Sequence, residues 1–133
     1  MESKRTISRI KAGQILYIME LTNQGYADAK KAFDEEIDDF CESLVLGVVD
    51  KKTEIDELIS NCLVNYTLNR LNLVDKQIIR VATYELLLKE VPFEIVINEA
   101  VLITKKYSDL DDNKSSSFNN RLLDNICKYL GYK

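Results

Sequence analysis

The chain has 133 residues, a formal net charge of −4 and a hydrophobic content of 46%, values typical of one soluble globular domain. No apolar run approaches the ~20 residues of a membrane-spanning helix, and no apolar signal core follows the basic N-terminus, so we expect a cytosolic protein without a membrane segment. One proline, four glycines and long runs of helical periodicity predict an all-helical structure in which three widely spaced cysteines are buried and reduced.

The N-terminal half is predicted to contain three helices. The first spans residues 4–22 and is apolar on two sides, so we expect it to lie inside a bundle. A polar link follows over residues 26–33. The second helix is predicted over residues 34–51, where its acidic start suits the positive end of the helix dipole. Thr53 and Asp56 have the spacing of a capping box and are expected to open the third helix.

A hairpin of two apolar helices between residues 74 and 107 is predicted to be the centre of the core. Asp75 is expected to cap its first helix, and apolar side chains then recur at helical spacing to about Lys89. Pro92 interrupts this pattern and suits the first turn of a second helix, which continues to Tyr107.

The segments on either side of this hairpin are less regular. Residues 69–71 are predicted to form a short helical turn that docks Leu68 and Leu71 into the core. Residues 108–117 are the clearest surface loop. One serine of this loop is expected to cap the last helix, with Phe118 at the very start of that helix. The candidates for the cap are Ser115, Ser116 and Ser117.

The residue types present argue against an enzyme. The chain has no histidine, no CxxC pair and no glycine-rich phosphate loop, so we predict no metal site and no cofactor. Glu85 and Glu99 lie within apolar helices, where an ion pair or hydrogen bond, for example with Arg80 or Arg70, is favoured over a general base. Asn98 is similarly interpreted as a buried amide.

Binding is the function that remains, and the charge is unevenly distributed. Residues 1–17 and residues 114–133 each carry a charge of +3, whereas residues 28–58 carry −7. The basic termini would form one patch if they meet in the fold, although charge alone favours ordinary solvated faces. The candidate RNA surface comprises Lys4, Arg5, Arg9, Lys11, Ser117, Phe118, Asn120 and Arg121.

Several motifs, in order and at characteristic spacing, resemble the signature of the NusB family of bacterial transcription antitermination factors. The resemblance covers almost the whole chain, and its strongest part lies in the central hairpin. The motifs are Arg9-x-x-Ala12-x-Gln14-x-Leu16-Tyr17, Arg80-Val81-Ala82-x-Tyr84-Glu85-Leu86-Leu87, Val91-Pro92, Ile97-Asn98-Glu99-Ala100 and Phe118-x-Asn120-x-x-Leu123-Asp124.

The resemblance implies a bundle of about six to seven helices in two small packed subdomains, residues 1–66 and 67–133. It also implies binding of boxA, a single-stranded element of nascent ribosomal RNA transcripts, together with the ribosomal protein NusE. The pair would help RNA polymerase to resist termination.

The resemblance also assigns residues. Arg5 and Arg9 match the basic motif that contacts RNA, and Phe118 and Asn120 match the closing motif, while Lys4 and Arg121 extend this surface by their charge. The side that faces NusE would include Tyr17 and Asp75, so that Asp75 acts as cap and contact together.

This chain departs from the family pattern at both RNA motifs. Thr6, Ile7 and Ser8 interrupt the arginine run, and Asn119 and Arg121 replace the valine and glycine of the closing motif. Arg121 is expected either to pair with a phosphate or to block the stacking of an RNA base on Phe118. The main alternative is therefore an adaptor that keeps the NusE partner and has lost RNA binding. A helical accessory domain of an RNA methyltransferase and an independent enzyme are less favoured.

Overall fold

A computed structural model describes residues 2–110 and 112–133. Over these residues the chain forms seven α-helices, one 3-10 turn and no strand, which confirms the all-helical class. None of the described helices is both long and apolar enough to cross a membrane. The helices are α1 (Lys4–Thr22), α2 (Tyr26–Phe33), α3 (Asp39–Asp50), α4 (Lys52–Cys62), α5 (Leu73–Leu88), α6 (Phe93–Tyr107) and α7 (Lys114–Tyr129).

Helix α5 is the central element of the bundle because it packs against α1, α3, α4, α6 and α7. Its Ile79 and Leu86 side chains are almost fully buried, as are Leu123 and Ile126 on α7. The prediction that the hairpin of α5 and α6 forms the centre of the core is therefore confirmed for α5. Helix α1 packs against α2 and α3 as well as α5, and the division into residues 1–66 and 67–133 stays a prediction.

The predicted cap of α5 is wrong by three residues. The helix begins after Asn72, whose Oδ1 accepts a 2.8 Å hydrogen bond from the Asp75 backbone N–H. Asn72 Nδ2 also donates to Asp75 Oδ2 at 2.8 Å, so the two side chains satisfy each other as in a capping box. Val74, which a cap at Asp75 would have placed outside the helix, consequently lies within its first turn.

The predicted second helix is also wrong in its bounds. Residues 26–33 form a true helix, α2, although Ala29 is its only buried residue and its polar composition resembles that of a link. The acidic stretch after α2 precedes α3 rather than opening it, and Asp38 caps α3 by accepting a 2.8 Å bond from the Cys41 N–H. Acidic residues suit the positions just before a helix as well as its first turn, which is why composition placed this boundary too early.

The caps predicted for α4 and α7 are wrong as well. Helix α4 begins at Lys52, one residue after α3 ends, so Thr53 lies inside the first turn instead of capping it. The three serines at 115–117 are all within α7, and the Lys114 N–H is satisfied by the Asp112 carboxylate at 3.0 Å. Ser116 instead donates to Asp109 Oδ2 at 2.7 Å and ties the loop to the helix. Asp111 of the predicted loop lies outside the described residues.

Two smaller predictions are confirmed. A 3-10 turn forms at Leu68–Arg70, one residue earlier than predicted, with Leu68 half-buried against the core and Leu71 buried. The three cysteines, Cys41, Cys62 and Cys127, are buried and free. Burial raises the pKa of Cys41 to about 11, which keeps this thiol protonated at neutral pH.

Replacement by alanine is expected to have opposite effects on stability at Gly47 of α3 and Gly13 of α1. A Cβ on Gly47 would overlap the Tyr84 ring, whereas a Cβ on Gly13 of α1 meets nothing within 4 Å. We expect Gly47→Ala to lower the free energy of unfolding by about 1–3 kcal/mol through overpacking. Gly13→Ala should raise it by about 0.5–1 kcal/mol, because alanine loses less backbone entropy in a helix. Urea unfolding measures the stability of both variants. Equal changes at Gly47 and Gly13 would contradict the close contact of Gly47 with Tyr84.

Candidate functional site

Arg9, a predicted RNA contact, is buried within the bundle. Its side chain is only 7% exposed, and its guanidinium donates to both carboxylate oxygens of Glu85 at 2.7 and 3.0 Å. A third bond joins Arg9 Nη1 to Glu99 Oε1 at 2.8 Å, and the Thr6 hydroxyl donates to the same oxygen. Burial opposes the charged form of Arg9, but its hydrogen bonds and its attraction to the two carboxylates raise its pKa. Arg9 therefore holds α1 against α5 and α6, and this geometry does not present it to a phosphate.

The same cluster corrects two further expectations. Glu85 and Glu99 are each ion-paired, as the favoured interpretation held, but both pair with Arg9 rather than with Arg80 or Arg70. Arg80 instead pairs with Glu20 and Asp56. Asn98 is exposed on α6 and is not a buried amide, because its helix turns that position toward solvent.

Lys4 and Arg5 are exposed at the start of α1 and remain available for binding. The Arg5 guanidinium lies 3.8 Å from the centroid of the Phe40 ring, and both side chains line a cleft of about 460 Å³. Lys11 points elsewhere and donates to the Glu36 carbonyl at 2.7 Å. The cleft is lined by Ser3, Arg5, Arg9, Phe40, Glu85, Leu88, Glu90, Val91, Ile95 and Glu99.

The closing motif provides a second exposed group on α7. Asn120 and Arg121 are exposed, whereas Phe118 is half-buried against the core. The Phe118 ring also contacts Tyr66, with ring centroids 5.4 Å apart and a 59° angle between planes. Tyr66 was not among the predicted site residues, because it lies in the irregular segment before the 3-10 turn.

Helix α6 lies between these two groups. Glu99 and Lys106 are two helical turns apart and share the face that meets the N-terminal segment, through Thr6 and Glu2 respectively. Thr104 lies on the nearly opposite face, where Asn119 of α7 donates to its hydroxyl at 3.0 Å. The arc of α6 between these two faces is exposed. Its exposed side chains are Glu94, Ile95, Asn98, Leu102 and Lys105.

Helix α6 packs against both α1 and α7, so its exposed arc is a route along which an extended ligand could touch both groups. Lys105 and Lys106 at the end of α6 lie on this route. These two lysines were not among the predicted site residues, although two adjacent lysines in the last turn of a predicted helix could have indicated a phosphate contact.

Of the two residues predicted to contact NusE, Asp75 is buried and Tyr17 is partly exposed. Asp75 is 6% exposed, and its carboxylate accepts bonds from Asn72 at 2.8 Å and from Asn119 at 3.2 Å, so it faces the protein interior. Tyr17 is partly exposed in an apolar groove of about 350 Å³, and Val74, the neighbour of Asp75, lines the same groove.

Asn119 explains how this chain tolerates its departure from the closing motif. The side chain is fully buried, and its Nδ2 bridges Asp75 on α5 and Thr104 on α6. A buried carboxylate requires a donor, and Asn119 provides one where valine would not. Asn119 thus fixes the start of α5 to α7, one residue away from Phe118.

The exposed features are those of a binding protein. They comprise cations at the start of α1 and on α7, an aromatic pair beside α7 and an apolar groove beside Tyr17. Among residues 2–110 and 112–133, no three cysteine, aspartate or glutamate side chains converge in a way that would hold a metal ion.

Comparison with known proteins agrees with this class. The model of the NusB family matches residues 6–128. The transcription antitermination protein NusB of Bacillus cereus is 40% identical over 92% of this chain and 96% of its own length. The structure of T. maritima NusB has a TM-score of 0.81 and 32% identity, covering 96% of this chain and 93% of that chain. A structure of antitermination factors NusB and NusE in complex with dsRNA has a TM-score of 0.82 and 27% identity, with 97% and 99% covered.

The chain belongs to the NusB family. The family consists of transcription antitermination factors rather than enzymes, which confirms the prediction of a non-enzymatic protein. The resemblance identified from the motifs, and the NusB fold that it implied, are confirmed as well.

Proposed function

We propose that this protein is a cytoplasmic antitermination factor that binds boxA-like single-stranded RNA of nascent ribosomal RNA transcripts together with NusE. The exposed cationic and aromatic surface that runs from Lys4 and Arg5 across α6 to Phe118 carries this proposal. Cations contact phosphates, while an aromatic ring and the Asn120 amide are suited to unpaired bases. The assembled protein would act within the RNA polymerase antitermination complex.

The residue assignments change with the structure. Lys4, Arg5, Phe118, Asn120 and Arg121 are retained as proposed RNA contacts. Arg9 is proposed to stabilise the fold rather than to contact RNA, since its N–H groups donate to the carboxylates of Glu85 and Glu99. For NusE, we propose the groove beside Tyr17, with Asp75 supporting its wall at Val74 rather than touching the partner.

The adaptor without RNA binding remains the second candidate because of one observation. Burial of Arg9 leaves only Lys4 and Arg5 as unburied cations in the first two turns of α1. The phosphate contribution is therefore small, and NusE binding would not depend on it.

Binding of a fluorescein-labelled boxA-like RNA, with and without NusE, tests the proposal. We expect NusE to strengthen binding by the native chain. The double variant Lys4→Ala, Arg5→Ala should bind about 10-fold more weakly and lower the salt slope by about 0.7 for each lost phosphate contact. Lys31→Ala, at an exposed lysine of α2, serves as the matched control and should bind normally.

The outcomes separate the candidates. RNA binding that NusE strengthens and the double variant weakens supports antitermination. NusE binding without RNA binding, even at low salt, supports the adaptor. A chain that binds neither molecule contradicts both proposals.

A further inference from the structure

The segment between α4 and the 3-10 turn places an aromatic ring on the surface beside α7. Leu63 ends α4 in an extended conformation, and Asn65 adopts the left-handed region with φ 56°. This reversal brings Tyr66 onto Phe118, while the Tyr66 hydroxyl donates to the Arg70 carbonyl at 3.0 Å. The ring is thus fixed at one end by packing and at the other by a hydrogen bond, yet the residue is 36% exposed.

One guanidinium group lies beside this ring, and a second lies on α7 beyond Phe118. Arg70 Cζ lies 4.9 Å from the Tyr66 centroid, and Arg121 follows Phe118 by one helical turn on α7. Neither arginine forms a salt bridge with a carboxylate in the part of the chain that the structure describes. Arg9 and Arg80 differ, since each of them is paired with two carboxylates.

A flat ring under an uncompensated guanidinium is suited to one kind of ligand. Bases in single strands stack on aromatic rings and on arginine planes, and their phosphates pair with cations. A double helix keeps its bases stacked within itself and offers only phosphates to such a surface. The arrangement therefore favours an unpaired base with an adjacent phosphate.

We infer that Tyr66, Arg70 and Phe118 form a stacking platform for one unpaired base of the bound RNA, with Arg121 on the neighbouring phosphate. This inference rests on the proposed function and extends its RNA surface from α7 onto the segment after α4. Phe118 is half-buried and supports the platform from below, so Tyr66 and Arg70 provide the exposed stacking surface. Tyr66 and Arg70 are then specificity residues for single strands.

Substitution of Tyr66 tests the platform with the same labelled boxA-like RNA. We expect Tyr66→Ala to weaken binding about 5- to 100-fold, which corresponds to the loss of one stacked base. Tyr66→Phe keeps the ring and should stay within about 2-fold of the native Kd. Annealing the RNA to its complement should remove most of the difference between native and Tyr66→Ala, because a paired base does not reach the platform.

A direct readout is available because the chain contains no tryptophan. Tyr66→Trp provides a single tryptophan in the platform, excited at a wavelength that the six remaining tyrosines do not absorb, and a base stacked on it should quench its emission when RNA is added. Unchanged emission at saturating RNA would overturn the inference. Circular dichroism melting of Tyr66→Ala confirms that any loss of binding is not a loss of fold.

Failure of the platform and failure of the proposed function give different results. Native binding that Lys4→Ala, Arg5→Ala weakens and Tyr66→Ala leaves unchanged would overturn the platform alone. A native chain that binds no RNA would overturn both.

Discussion

Replacing Arg9 with alanine is expected to lower the free energy of unfolding by about 3–5 kcal/mol, the cost of removing one partner of a buried ion pair. Glu85 is 3% exposed, and both of its carboxylate oxygens accept bonds from Arg9. Without the guanidinium this carboxylate remains buried without its charge partner, and Glu99 keeps only the Thr6 hydroxyl among these donors. Urea denaturation at neutral pH, monitored by circular dichroism, measures the change.

Arg5→Ala is the matched control, one helical turn earlier on the same helix. Arg5 is exposed and stacks on Phe40, so its loss should cost about 0.5–1 kcal/mol. If both variants lost equally little stability, the Arg9 cluster would not be holding α1 in place. A much larger loss for Arg9→Ala than for Arg5→Ala would separate the structural arginine from the one that is free to bind.

Acid is expected to weaken the bundle at the junction of α1 and α5. Burial acts to raise the pKa of Glu20, but hydrogen bonds from Arg80, Lys76 and Gln77 outweigh it and lower the pKa to about 2. A carboxylate with a lowered pKa stabilises the fold above its unfolded pKa of about 4.5 and loses this contribution as the pH falls toward 2. The linked free energy is at most about 3.4 kcal/mol, and solvent screening of the partly exposed carboxylate reduces it to about 2–3 kcal/mol.

Comparison of Glu20→Gln with the native chain isolates this contribution. The native chain should be more stable by about 2–3 kcal/mol at pH 7, and the difference should shrink steadily below about pH 4.5. Glu57→Gln, at an exposed position on α4, should change stability by less than about 0.5 kcal/mol. A difference for Glu20→Gln that stays constant down to about pH 3 would contradict the assignment.

The spacing of apolar residues was sufficient to predict the helices that bury a continuous apolar stripe. Helices α5 and α6 were predicted from apolar spacing and from Pro92, because a buried face repeats with the helical period. Helix α2 was missed because Ala29 is the one residue that it buries, so almost no stripe is present. The predicted caps were wrong where several polar residues lie within three positions of each other. Asn72 and Asp75, for example, are equally suited to cap a helix.

The site depended on contacts between distant parts of the chain. Arg5 and Arg9 have the same chemistry and lie one turn apart, yet Arg9 meets carboxylates 76 and 90 residues away while Arg5 meets a ring. Tyr66 reaches Phe118 only because α4 and α7 pack together. Spacing along one helix shows which side chains are neighbours, but not which of them the rest of the fold covers.

The position of α1 has a consequence for synthesis on the ribosome. The N-terminal helix emerges first, but Arg9 must wait for Glu85 and Glu99, and Glu20 for Arg80. Until residues 80–99 have been translated, Arg9 and Glu20 lack these partners and α1 has only α2 and α3 to pack against. Closing such long loops carries an entropic cost, so native assembly of this small helical protein is completed late rather than built up progressively from its first residues.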